Sequence, residues 1–318
     1  MDILKYENVN WSLPGLIRNK DVIFLLLNGL SMCNVQVPNI SCYGTAMPNA
    51  WSKNTLFLNE FPLERYEIVV FEILHRYLSL KITPILKFDD YKIDKKNFSD
   101  AFANDLLNFA GTHNSKVIIS NDDLLDYVKS KYPNLKCIAS EKKSIIENNK
   151  KQGLSYYDTV LKKYDEVILN PNFVVDCDLK ELKGYDKISK MHVVADNNCI
   201  KNCPNLKNFD KCDYDFEKKS LKKGSFQNFA NCKKRNKKLT SLIGKTLLLD
   251  DKKIRDLIDL GFNNFMLQDK YISNVLFEEK LFSYVFESVG YSQYFRSLPT
   301  EKCGCGCGSD KNGKCNQI

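Results

Sequence analysis

Four cysteines, Cys199, Cys203, Cys212 and Cys232, fall in one short stretch of this chain. They follow a strand-like run, Met191-His192-Val193-Val194-Ala195-Asp196, and are separated by three, eight and nineteen residues. Thiolates are soft ligands that suit Zn²⁺ and iron–sulfur clusters alike. Four of them brought to one point complete either kind of site. Zinc sites commonly use paired C-x-x-C knuckles, and this spacing has no such pair. An iron–sulfur cluster is the expected cofactor, with zinc, or no metal at all, as the alternatives. Neighbouring lysines would offset the negative charge of four thiolates and tune a reduction potential.

A second set carries polar chemistry. Asp89, Asp90, Asn170 and Gln268 stand where apolar, strand-like runs end. Individually each has the type and setting of a turn or cap residue. Together they are the expected substrate contacts. His192 lies beside the cysteines, but alternation along its strand turns it toward a structural role. His75 falls within a helical pattern and His113 beside a loop glycine, so neither gathers support for a functional role.

The formal charge is +8, and most of it has an address. Between Glu217 and Lys238 there are nine Lys or Arg and one acid, a surplus of 9 − 1 = 8. Phe226 and Phe229 interleave with these lysines. Such a stretch could meet an RNA backbone or an anionic metabolite, and a solvated insertion is the plainer reading. The tail, with Cys303, Cys305, Cys307 and Cys315 among glycines, cannot join a core. It reads as a flexible end, or as a soft-metal clasp.

The elements that must position these residues are legible as alternating runs. Strands are expected at 22–27, 40–43, 82–88, 116–119, 135–139, 166–169, 190–194, 246–249 and 262–267. Amphipathic helices are expected at 63–80, 99–109 with Ser99 as its cap, through 131 with Ser120 or Asn121 as its cap, 155–163, 252–260 and 274–287, with a helical turn at 179–182. About eight strands alternating with helices imply a parallel sheet, and at 318 residues a (β/α)8-type, TIM-like barrel. The barrel spans residues 1–298, including a Cys-rich insertion at 197–238, and 299–318 form the flexible tail. A barrel puts its chemistry at the C-terminal strand ends, and the insertion begins after one of them.

With 43% hydrophobic residues a sizeable core is available. No run approaches the roughly 20 apolar residues that cross a bilayer, and the amino terminus lacks the layout of a secretory signal. A cytoplasmic setting without membrane contact is expected. In that setting clustered cysteines bind metal more readily than they form disulfides. Cys33, Cys42, Cys137 and Cys177, scattered among apolar residues, read as buried packing residues.

Several segments, in order, resemble barrel proteins related to the collagenase-like peptidases of family U-32. They are Cys42-Tyr43-Gly44-Thr45 with Trp51, Ile85-Leu86-Lys87-Phe88-Asp89-Asp90, Val117 through Tyr127 with Tyr132-Pro133-Asn134, Val193 through Pro204, and Gly261-Phe262-x-x-Phe265-Met266-Leu267-Gln268. The resemblance covers roughly residues 20–290. It implies a cluster-bearing protein of oxygen-independent hydroxylation, acting on a small-molecule precursor or RNA. It also implies that Cys199, Cys203, Cys212 and Cys232 hold a [4Fe–4S] cluster, although the first three are spaced more tightly than in those relatives. No H-E-x-x-H helix or nucleophile elbow supports proteolysis. The alternative is a non-catalytic or zinc-stabilised barrel that partners another protein.

Overall fold

The computed structural model describes residues 4–6, 8–32, 39–46, 49–52, 63–147, 153–177, 179–202, 246–268 and 274–287. The strands are β1 (Asn10–Pro14), β2 (Ile40–Gly44), β3 (Thr83–Phe88), β4 (Lys116–Ile119), β5 (Lys136–Ala139), β6 (Glu166–Ile168), β7 (Met191–Val194), β8 (Asp196–Ile200), β9 (Thr246–Leu248) and β10 (Asn264–Met266). Eight of them close a parallel barrel in the order β1-β10-β7-β6-β5-β4-β3-β2, while β8 and β9 form a separate ribbon. The helices are α1 (Lys20–Met32), α2 (Leu63–Ser79), α3 (Ala101–Thr112), α4 (Asp122–Lys131), α5 (Glu141–Glu147), α6 (Gly153–Val160), α7 (Pro171–Asp176), α8 (Leu179–Leu182), α9 (Asp251–Asp259) and α10 (Asn274–Tyr284). Among the described residues, no helix is long and apolar enough to cross a membrane.

Side chains alternate across each strand, so every barrel strand has an outer and an inner row. The outer rows, including Trp11, Leu86, Val117, Cys137, Val193 and Phe265, join the main core under the helices. The inner rows build layers. Tyr43, Ile85, Ile118, Ile138, Ile168, Val194 and Met266 form one apolar layer that is a cluster of its own. Two residues earlier on the same strands the layer turns polar. Lys116 meets Glu166 at 2.7 Å, His192 Nε2 meets Glu166 at 2.7 Å, and Asn10 donates to Asn264 at 2.9 Å. On β1, Ser12 joins Ser41 at 2.9 Å.

Two strand expectations change. Residues 22–27 lie inside α1, not in a strand. Ile23, Phe24, Leu26 and Leu27 are buried while Leu25 is 59% exposed, a helical period that a short apolar run conceals. The strand opening the barrel is β1, whose inward row is Asn10, Ser12 and Pro14, so its apolar content is low. Residues 246–249 do form a strand, but it pairs with β8 outside the barrel.

Caps and close contacts fix the helices. Asn121 caps α4 by accepting the Leu124 N–H at 2.9 Å. Asp100, not Ser99, caps α3, accepting the Ala103 N–H at 2.8 Å. The free thiols Cys42 and Cys137 are fully buried and Cys177 is half-buried. Burial pushes the Cys137 thiol up to about 12, so it packs as an inert apolar group. Cys33 lies outside the described residues.

Gly44 ends β2 with an ideal Cβ position 3.0 Å from the Leu16 backbone nitrogen. The tyrosine–glycine step therefore exists so that β2 can pass the turn after β1 closely. Gly111 sits inside α3, where an added Cβ would lie 2.3 Å from the Tyr132 ring. Gly111→Ala should thus destabilise the protein by about 1 kcal/mol or more, despite a gain in helix propensity of about 1 kcal/mol. Denaturant titration checks this, and in a Tyr132→Leu background the same substitution should become stabilising.

The polar layer gives a pH dependence. Burial alone would raise the Glu166 carboxyl, but His192 and Lys116 outweigh it and hold the group at about 2, below its ordinary 4.5. A depressed folded-state value contributes stability that is complete above 4.5 and disappears as pH falls toward 2. The contribution is up to roughly 3 kcal/mol at about 1.4 kcal/mol per unit. The stability gap between the wild type and Glu166→Gln should narrow across that window, as equilibrium unfolding between pH 5 and 2 will show.

Candidate functional site

Barrel chemistry belongs at the C-terminal strand ends, and here that mouth carries an attachment point. Strand β7 runs through Ala195 into β8, which turns back as β9. The ribbon pairs Asp196 with Leu248, Asn197 with Leu247 and Ile200 with Thr246. Leu249 N–H donates to the Ala195 carbonyl at 2.9 Å, anchoring the ribbon to the barrel end. The pairing slips between Asn197 and Ile200, so Asn198 and Cys199 occupy a bulge. Bulges re-aim backbone next to functional sites. Because Ile200 and Thr246 are paired, the intervening excursion leaves and returns at one place above the mouth. Cys199 lies on β8, whereas Cys203, Cys212, Cys232, the lysines of 217–238 and the cysteines after 302 lie outside the described residues. Among the described residues, no three His, Cys, Asp or Glu side chains gather as a metal site.

Asp196, the first residue of β8, is the most enclosed charge at the mouth, with 0% exposure. Its carboxylate accepts the Gln268 backbone N–H and the Lys280 ammonium. Burial pushes the carboxyl upward, opposed by Lys280 and by the Gln268 amide. Lys280 projects from α10, which is thereby pinned to the barrel end. In the sequence, Asp196 stands within the Val193–Pro204 segment with nothing to mark its role, and Lys280 lies in an ordinary amphipathic helix. The available signal was a lysine placed among the buried Phe277, Leu281 and Val285.

Each residue of the expected substrate set stands at a C-terminal strand end. Asp89 pairs with Lys87 at 2.8 Å, both largely buried. Asp90 works locally, with Oδ1 accepting the Lys92 N–H at 3.0 Å and its own N–H reaching the Trp51 carbonyl at 3.1 Å. Trp51, fully buried, donates from Nε1 to Asn97 at 2.8 Å, and Ser52 donates to the Lys87 carbonyl at 2.8 Å. Together these hold the end of β3. Asn170 is the cap of α7, with Oδ1 accepting the Asn172 N–H at 3.0 Å. The plainer role as turn or cap residue thus holds for Asp90 and Asn170. Gln268 differs: it is 5% exposed, and its Nε2 has no partner among the described residues.

The strand order brings Gln268 and Asp196 together on adjoining strands, with Asn170 on the next one, and puts Asp89 and Asp90 across the mouth. His192 has the structural place expected of it, 3% exposed in the polar layer against Glu166, away from the mouth. His75 on α2 and His113, the C-cap of α3, contact each other edge to face outside the barrel, with ring centroids 5.4 Å apart.

A second polar group rims β4 to β6. Ser120 and Ser140 share a 2.6 Å hydrogen bond, and Ser144 donates to the Ile168 carbonyl at 2.6 Å. Lys143, 5% exposed, bridges Asp122 at 2.8 Å and Glu147 at 2.7 Å. Burial opposes ionisation of Asp122, but Lys143 and Lys163 hold its carboxyl at about 2. Asn197 reaches Glu141 at 3.0 Å, linking the ribbon to this rim.

Removing one partner from a buried pair strands the other charge. Lys280→Met should therefore cost about 3–5 kcal/mol. The double variant Asp196→Asn with Lys280→Met should recover most of it. Denaturation midpoints of the two variants and the wild type make the comparison.

No protein-family profile matches the chain, and no curated protein matches it. The solved structure of the U32 peptidase Mk0906 is similar to this chain, with a TM-score of 0.42 and 10% sequence identity, over 82% of this chain and 92% of that one.

Proposed function

We propose that this chain is an iron–sulfur-binding barrel enzyme of U32-like outline that modifies an anionic metabolite or RNA without dioxygen, in a hydroxylation-type reaction. Cys199, Cys203, Cys212 and Cys232 are the cluster ligands in this reading. The observation that supports it is the β8–β9 ribbon. By pairing Ile200 with Thr246, it ties both ends of the cysteine-bearing excursion to the mouth where a barrel holds its substrate. The donor set fits the group: four thiolates complete a [4Fe–4S] site. A bound cluster would supply electron transfer or a hold on an oxygen donor.

The chain's own residues do the rest. Asp196 and Lys280 fix the ribbon and α10 at the rim, and Gln268 offers a donor there. The lysines of 217–238 would draw an anionic reactant toward the same end of the barrel.

Protein purified without oxygen should contain iron and inorganic sulfide and show broad thiolate-to-iron charge-transfer absorbance. Cys199→Ser with Cys203→Ser should abolish all three. Stoichiometric zinc without iron would replace this reading by a zinc-stabilised barrel that partners another protein. Absence of both metals would end it.

A further inference from the structure

Gln268 continues the inner row of β10 one step beyond Met266. It is 5% exposed, and its Nε2 meets no acceptor among the described residues. A buried donor is costly to leave unpaired, so an amide aimed at a mouth is a feature that awaits a partner. Its backbone is fixed, because the Gln268 N–H is held by Asp196, which is itself held by Lys280.

Two further observations set what the partner is. The first is charge: Asp196 and Lys280 compensate each other, so an anion beside Gln268 would face a carboxylate and no spare cation from this pair. The second is the layer below. Met266, Val194 and Tyr43, members of the inner apolar cluster, lie one step deeper on β10, β7 and β2. The Tyr43 hydroxyl crosses to donate to the Leu267 carbonyl at 2.6 Å, closing that layer under Gln268.

We propose that Gln268 is a recognition residue that donates from Nε2 to a neutral carbonyl oxygen of a ligand with an apolar body, while Asp196 and Lys280 position it. This deepens the functional reading above and rests on it for the presence of a substrate at this mouth, but it draws nothing from the cluster. The carbonyl part of such a substrate would face Gln268, and its anionic part would point away from Asp196.

Benzamide and benzoate test this, because they share a ring and differ in the charge at the carbonyl. In saturation-transfer NMR on the full chain, benzamide should bind and benzoate should bind more weakly. Gln268→Leu, and the near-isosteric Gln268→Glu, should each weaken benzamide about tenfold, as expected for loss of one buried hydrogen bond. Lys280→Arg should retain benzamide binding that Lys280→Met loses, which a merely stabilising lysine would not require at temperatures where both variants are folded. Benzoate binding more tightly than benzamide, absence of benzamide binding in the wild type, or an unchanged signal in Gln268→Leu overturns the proposal. Iron content read on the same samples keeps the two readings apart. Cysteine-dependent iron without benzamide binding removes this inference alone, and benzamide binding without iron removes only the cluster.

Discussion

The structure depends on one constraint, the period-two alternation of side chains on eight parallel strands. Once the ring closes, every inner residue shares a narrow interior with seven other strands, so polarity has to be sorted by depth. Here the sorting gives a polar layer of Glu166, His192 and Lys116, an apolar layer of Ile, Val, Met and Tyr, and a polar rim. The buried charges of the first layer are paired, as buried charges must be. The apolar layer separates them from the rim, so the polar groups at the mouth are insulated from the electrostatics of the opposite end.

Much of that architecture was legible in the sequence, and the failures have a shared cause. Residues 40–43, 82–88, 116–119 and 135–139 read as strands because their outer rows are apolar against helices and each inner row adds one apolar residue to the barrel interior. Residues 22–27 deceived because six apolar residues in a row satisfy a buried strand and a buried helix equally. Strand β1 escaped because Asn10, Ser12 and Pro14 occupy its inward row, leaving Trp11 and Leu13 as its main apolar signal. These two misreadings cancel in the count of barrel strands, and 246–249 is left as a surplus that pairs with β8 outside the ring.

The places of the candidate residues were legible, and their partners were not. Strand ends predicted where Asp89, Asp90, Asn170 and Gln268 stand, since barrel topology fixes that edge. Periodicity could not say which polar group is consumed by local hydrogen bonding. Asp90 and Asn170 are occupied by the Lys92 and Asn172 amides, contacts only two residues away. Asp196 and Lys280, by contrast, lie 84 positions apart in the chain. Their pairing comes from closure of the barrel and docking of α10, which no local window contains.

The tied ends of the ribbon carry a consequence for how such a protein can change over evolutionary time. When two flanking residues are already bonded to each other, the entropy of closing the excursion between them grows only with the logarithm of its length. Lengthening, trimming or exchanging that segment leaves the hydrogen bonds of β7 and β10 untouched. The ribbon is thus a point where the chain between Ile200 and Thr246 can change in length or sequence while the barrel interior stays fixed.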